Sequence, residues 1–536
     1  MAPRWIITTS AIVTAILAAA IYIVYHSPSL SALSPSLYAS LCAPEVQTVA
    51  QYPGYLGSEC AGKPHHASWE SWWHPQHSTG NATAAKSKDG AAARTKDWNI
   101  LYHLGGNGPW VEKKIDVVEG GVAVPEGCEV VQVHMMARHA ERYRTRRAGH
   151  AQKSVVRRIK ESGKVFDGRL SFFNDWELFW SSDDHLEQLT STGPFAGTLG
   201  SFTTGVRLRT RYQHLIDKAT ANQEHPTIFW ASDSNRVIET AKHFASGFFG
   251  LDYAAAKTAS LSIISEHSSL GADTLTPGRT CLGNKKDKEH GQRKGYRLMA
   301  EYRASYMPPI RERLLAQTGM DFSDEEIYAM QEMCGFEITV RGHSNWCNVF
   351  TQEEFLSFEY ARDLLHYYRA GPGQKYAKSM GWLWLNATTN LLVQGPEEAG
   401  PLFFSFVHDG DIAPMMSALD VINDAQHLPT THIAHDRKWR KSQVSPMGGR
   451  VIFELLSCSS NGAAQDAPAK FIRLNINDGI TALPDCNSGP GKGCPLADFA
   501  ARTKRKGEEV EDFKELCGLP EDAAGRITFL SQKLAR

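Results

Sequence analysis

Residues 129–136 read EVVQVHMM, and the chain runs without a break into Ala137-Arg138-His139-Ala140-Glu141-Arg142. The first eight are β-branched or apolar at both parities, the pattern of a strand buried on both faces of a sheet. The residues that follow are of the opposite kind: two arginines four apart flank a histidine at the strand's carboxyl end. In open α/β sheets that edge is where ligands bind.

Working outward, residues 227–231, TIFWA, repeat the pattern and pass into a helical stretch at 235–249. Residues 402–407, LFFSFV, form a third such strand, followed by helix-like sequence through Leu419. Segments 450–456 and 470–474 are further strand candidates, and 324–333, 352–369 and 375–392 have helical character. Strands alternating with helices predict an α/β fold, a mostly parallel sheet with helices on both faces, carrying a smaller all-α insertion. The expected organisation is a signal anchor or signal peptide at 1–28 and a Ser/Pro/Ala-rich stalk and N-terminal extension at 29–97. The α/β domain then occupies 98–260 and 386–536, with the helical insertion at 261–385. No internal repeat is evident.

Three of the strands end in chemically conspicuous residues. After the first come Arg138, His139 and Arg142; after the second, Ser234-Asn235-Arg236; after the third, His408-Asp409. Converging guanidiniums suit a tetrahedral dianion, because arginine grips phosphate oxygens bidentately and keeps its charge. A neutral imidazole among them can attack phosphorus, and a carboxylic acid can protonate the leaving alcohol. Each piece alone reads as a surface turn, a solvated arginine or a helix cap. Their recurrence at the same kind of position is what the bland readings do not explain.

The composition bounds the rest. Of 536 residues, 42% are hydrophobic and 21% charged, which excludes a wholly disordered or collagen-like chain. Lys plus Arg is 57 against 58 for Asp plus Glu, so there is no global basic footprint for nucleic acid. Residues 5–25 carry no charge and would span about 31 Å as a helix, one hydrocarbon core. Arg4 precedes them and no Lys or Arg follows until Lys63, which keeps the short N-terminus cytoplasmic. Ala18, Ala19 and Ala20 also offer a small-residue cleavage site, so membrane anchor and cleaved signal peptide both stand. Either route delivers the remainder to the secretory pathway, to be extracellular or at the cell surface. There, ten cysteines are expected to form five disulfides. Asn81 and Asn386 head glycosylation sequons.

Other motifs carry less. Gly105-Gly106-Asn107-Gly108-Pro109 lacks the ending of a nucleotide P-loop and reads as a structural turn. His65, His66, His74 and His77 lie among Trp69, Trp72 and Trp73, but no carboxylate or cysteine completes a metal-ligand spacing. No metal and no cofactor is expected. The aromatic series from Phe350 to Tyr368 reads as helix packing, and the charged stretch 502–515 as a solvated face.

The octet Arg138-His139-Ala140-Glu141-Arg142-Tyr143-Arg144-Thr145 resembles the RHGxRxPT signature of the histidine acid phosphatases, and His408-Asp409 resembles their HD dyad. HLGGNGPW (103–110), SNRVIETA (234–241), DTLTPGRTC (273–281), MCGFE (333–337), SFVHDGDIAP (405–414) and SPMGGR (445–450) are similar to the fungal secreted acid phosphatase and 3-phytase branch. So are residues 350–368 and the segment between Cys486 and Cys494, so that the resemblance spans about 98–518. It implies that His139 is the nucleophile and Asp409 the proton donor. It likewise implies that Arg138, Arg142, Arg236 and His408 bind the substrate phosphate. The same resemblance pairs Cys42 with Cys60, Cys128 with Cys458, Cys281 with Cys517, Cys334 with Cys347, and Cys486 with Cys494. The cysteines by themselves allow roughly 900 pairings.

The function so implied is hydrolysis of phosphate monoesters through a phosphohistidine at acidic pH. The partners are small phosphate esters, inositol phosphates among the candidates, and the membrane through residues 5–25 if that segment is retained; the sequence leaves the oligomeric state open. Two positions depart from the motif: Ala140 stands where it has glycine, and Arg144 where it has proline. They motivate the rival reading, a membrane-tethered relative, catalytically impaired, that only binds phosphorylated ligands. Phosphohistidine chemistry also serves mutases, but the secretory route and cysteines speak against that cytosolic role.

Overall fold

The computed structural model describes residues 98–222, 225–459 and 468–533. The apolar segment 5–25, the stalk, Cys42, Cys60, Asn81 and the His/Trp cluster at 65–77 lie outside the described residues. No helix among the described residues is long and apolar enough to cross a membrane.

Strand β1 is Cys128–Arg138, buried on both faces from Val130 onward. It is followed by helix α1, Arg146–Glu161, and α2, Gly197–Asn222. Next come β2, Thr227–Ser232, α3, Asn235–Phe248, and β3, Ala259–Ile264. A helical stretch contains α4, Arg293–Thr318, α5, Asp324–Arg341, α6, Gln352–Arg369, and α7, Ala377–Ala399. The chain returns to the sheet with β4, Leu402–Val407, then α8, Asp409–Leu419. It closes with β5, Arg450–Cys458, β6, Ala469–Ile476, β7, Gly479–Thr481, β8, Cys494–Pro495, and α9, Leu496–Glu508.

Among the described residues the sheet has eight strands in the order β3-β2-β4-β1-β5-β6-β7, with β8 on β6. Here the expectation of a mostly parallel sheet is corrected. The pairs β1–β4, β2–β4 and β2–β3 are parallel. The pairs β1–β5, β5–β6, β6–β7 and β6–β8 are antiparallel, so the sheet is mixed. The cause is local. Helical crossovers separate β1, β2 and β4, whereas β6 turns directly into β7 at Asn477-Asp478, both with positive φ, the geometry of a tight hairpin turn.

Side chains alternate across this sheet. Val133, Met135, Ala137, Phe404 and Phe406 pack on α2 and α3 through Leu208, Tyr212 and Phe244. Phe403, Val407, Val451 and Phe453 pack on the opposite face with Trp384, Met415 and Phe499 of α7, α8 and α9. A separate helical core joins α1 to α4, α5 and α6 through Val155, Ile159, Leu314, Met330, Phe336 and Phe355.

Disulfides link Cys128 to Cys458 across β1 and β5, Cys281 to Cys517, Cys334 to Cys347, and Cys486 to Cys494. Among the described residues no cysteine is free. The sequon at Asn386 lies inside α7, half-buried, with its Thr388 fully buried. This is not the surface loop that a glycosylation site is expected to occupy.

Candidate active site

Register assembles the site. Arg138 pairs with Val407, Ala231 with Phe406 and Ser232 with Ile264, so four parallel strands end on one line. The residues after β1, β2 and β4 therefore emerge together, bringing His139, Arg236 and His408-Asp409 to one edge. Antiparallel β5 begins there too: Gly449 O accepts from Arg138 N at 2.7 Å, and Gly448 N donates to His139 O at 2.9 Å.

His139 is buried, and its Nδ1 lies 2.9 Å from the carbonyl of Ala140. A carbonyl only accepts, so Nδ1 carries the hydrogen and Nε2 keeps a free lone pair. Burial, reinforced by Arg138, Arg142, Arg236 and His408, holds the imidazole well below the usual histidine value. Its surroundings favour the neutral form.

The cations around it are incompletely partnered. Arg138 Nη1 donates to the carbonyls of Gly106 at 3.2 Å and Ser445 at 2.9 Å. Arg142 Nη1 donates to Tyr143 O at 2.8 Å, and Arg236 Nη2 lies 3.4 Å from His408 Nδ1. The Nε atoms of Arg138, Arg142 and Arg236 are buried without a hydrogen-bond partner among the described residues. Buried donors of this kind call for an anion. The His139 and His408 rings stand 5.6 Å apart, edge to face.

Asp409 is the first residue of α8, where the helix dipole favours a carboxylate. Its Oδ2 lies 3.3 Å from Lys441 Nζ, 3.5 Å from Arg138 Nη2 and 3.8 Å from His366 Nδ1. Burial raises its pKa, but Arg138, Lys441, His366 and Arg369 outweigh that and hold it well below the ordinary carboxylate range. A bound dianion would relax this hold by neutralising the same cations.

Sequence reasoning missed Lys441, His366, Arg362 and Glu266. Lys441 is fully buried and donates to Ser445 O and Oγ besides facing Asp409. Arg362 and His366 lie one turn apart on α6, with Arg362 Nη2 3.1 Å from His366 Nε2. That i, i+4 spacing was visible in the helix expected at 352–369. Nothing in the charged run at 436–441 singles out Lys441. Glu266 lies two residues beyond β3, a strand the sequence reading did not recognise.

The glycine-rich turn is structural but contributes to the site. Gly105 and Gly106 have φ of 55° and 74°, and their carbonyls accept from Arg362 and Arg138. Both departures from the motif are accommodated. Ala140 is not among the residues with positive φ, and its N–H donates to Thr240 Oγ1 at 3.0 Å. Arg144 is buried in an ion pair with Glu332 and sits 4.2 Å above the Phe336 ring.

The edge of the sheet thus gathers a buried imidazole, three guanidiniums of which only Arg138 meets a carboxylate among the described residues, and that carboxylate, Asp409. Residues 129–477 match the histidine phosphatase superfamily (branch 2). The chain is 33% identical over 443 residues to a phytase of Candida albicans, covering 82% of this chain and 91% of that protein. It is 29% identical over 428 residues to the constitutive acid phosphatase of Saccharomyces cerevisiae, covering 78% and 87%. The solved phytase from D. castellii superposes with a TM-score of 0.74 at 28% identity, covering 84% of this chain and 93% of that one. The chain belongs to the histidine phosphatase superfamily, branch 2.

Proposed function

We infer that the chain is a histidine acid phosphatase, a phosphoric monoester hydrolase. His139 Nε2 attacks phosphorus, and the P–O ester bond breaks as Asp409 gives its proton to the departing alcohol oxygen. Water then displaces His139 from phosphorus, with Asp409 taking back a proton, and phosphate leaves. Arg138, Arg142 and Arg236 hold the three non-bridging oxygens and their developing charge. The observation carrying this reading is the free Nε2 of His139 beside three guanidiniums whose Nε donors have no partner.

Within phosphate monoesters we favour inositol phosphates, since relatives bear the name phytase. Arg146 and Arg147, exposed and without an ion pair among the described residues, open α1 within about 14–18 Å of chain from Arg142. They could meet the outer phosphates of such a substrate. The disulfides fit an oxidising, secretory compartment, and residues 5–25 would anchor the protein there if retained.

The test is rapid quenching during turnover. A phosphoenzyme that survives alkali but not acid, and is absent from His139→Ala, is expected; turnover without it overturns the reading. With an alkyl ester at saturation, kcat should be highest at acidic pH and fall as Asp409 loses its proton in the substrate complex.

A further inference from the structure

β3 pairs in register with β2, so Glu266 reaches the same sheet edge as His139 and His408. Glu266 Oε1 is 2.6 Å from His408 Nε2 and accepts from Ser232 Oγ at 2.9 Å. Arg279 Nε stands 3.5 Å from its second oxygen. A carboxylate only accepts, so His408 Nε2 carries a hydrogen. The other nitrogen, Nδ1, faces Arg236 Nη2 at 3.4 Å, and a guanidinium only donates. In the resting site, then, His408 has no N–H left for a phosphate oxygen. One nitrogen is committed to Glu266, and the other is an acceptor.

A tetrahedral dianion alters this. It attracts the Arg236 guanidinium and sets oxygen lone pairs against the lone pair on Nδ1. That contact is repulsive until Nδ1 gains a proton, after which it is a charge-assisted hydrogen bond. We propose that Glu266 is a positioning residue that turns His408 into an imidazolium when the substrate dianion binds, so that phosphate binding takes up a proton. This rests on the phosphate-site reading above.

The groups facing His408 agree with that role. They are His139 at the end of β1, Arg236 on α3, Glu266 with Arg279 behind it, and Asp409 and Asp411 on α8. Asp411 already accepts the His408 backbone N–H at 3.0 Å. Burial lowers the imidazole, the hydrogen bond to Glu266 opposes that, and Arg236 lowers it further, so the net shift is downward. Burial raises Glu266, but His408 prevails and brings it down to about 2, so its carboxylate stays charged in acid.

The experiment uses the full chain with ring-15N histidine, titrated from pH 7 to pH 4 with and without saturating inorganic sulfate, a dianion that does not titrate there. The His408 resonance is assigned by its loss in His408→Gln. Saturating sulfate should move the His408 midpoint up by about one pH unit or more, and Glu266→Gln should abolish that movement. In the same variant the inhibition constant of sulfate at pH 5 should rise about tenfold. If wild-type His408 stays neutral while sulfate inhibits, the proposal falls and the phosphate site stands. If Glu266→Gln keeps the movement, Glu266 loses its role and the proposal also falls. If sulfate neither inhibits nor perturbs any histidine, the phosphate-site reading fails and takes the proposal with it.

Discussion

Two arginine clusters of the molecule are built on opposite principles. In one, Arg437 lies 2.7 Å from Asp363 and 3.3 Å from Glu359, Arg440 lies 3.4 Å from Glu359, and His103 lies 2.7 Å from the same carboxylate. In the other, Arg138 meets Asp409 only at 3.5 Å, and Arg142 and Arg236 have no ion pair among the described residues. Both regions bury cations. The first balances them with carboxylates of the chain and serves the fold. The second leaves positive charge largely uncompensated, as the proposed phosphate site requires. Buried arginine alone does not mark a site; buried arginine without a carboxylate does.

The comparison breaks most directly at His139. His139→Ala should lower turnover by about 10^4-fold or more while leaving the thermal unfolding midpoint nearly unchanged. A folded variant with substantial activity would remove the chemistry from the second cluster. Arg437→Met should do the reverse. It strands Asp363 and leaves Glu359 to Arg440 and His103, costing about 3–5 kcal/mol in urea unfolding, yet kcat per folded molecule should hold. Loss of kcat without loss of stability would erase the distinction.

Asp409→Asn sharpens it further. Alkyl phosphates should slow by about 10^2–10^3-fold and activated aryl phosphates much less, because only the basic leaving group needs the proton. Equal losses would assign the acid elsewhere.

A smaller effect concerns acid stability. His134 is fully buried, stacked 4.3 Å from Phe403, and burial brings it down to about 3. Its folded pKa lies below its unfolded one, near 6.5, so the unfolded chain binds the extra proton. Stability therefore falls as pH drops below about 6.5 and levels off near 3, by about 2 kcal/mol between pH 7 and pH 5. His134→Leu should cancel that difference in unfolding measured at the two pH values; an unchanged difference would refute the assignment. Chelation should have the smallest effect, none on kcat/KM, since guanidiniums supply the charge that a metal would. Loss in EDTA restored by a divalent cation would contradict this.

Much of this was legible in the sequence, for identifiable reasons. β1, β2 and β4 announce themselves because each is buried on both faces and reads as a continuous apolar run. The residues just beyond them stand out by contrast. β3 was missed because it is an edge strand, half exposed, with serines breaking the pattern. Its omission also hid Glu266. α4 was missed because Pro308 and Pro309 lie inside it. The antiparallel half of the sheet was misjudged because buried strands look alike whichever way they run. Lys441 could not have been found, since its burial against Asp409 depends on a fold that brings together residues far apart in sequence.

The pairing of β1 with strands far downstream bears on how the protein is made. Cys128 and Cys458 are 330 residues apart, roughly 15–65 s of synthesis at about 5–20 residues per second. For most of that interval β1 has neither neighbour, and its apolar faces await β4 and β5. Cys128 waits as a thiol while Cys281, Cys334 and Cys347 emerge, and early oxidation would join it to the wrong partner. Cys334 and Cys347, 13 residues apart, can close at once. Pulse-labelled chains trapped by alkylation should therefore show that short loop oxidised well before the long one, and the reverse order would mean that β1 finds its partners some other way.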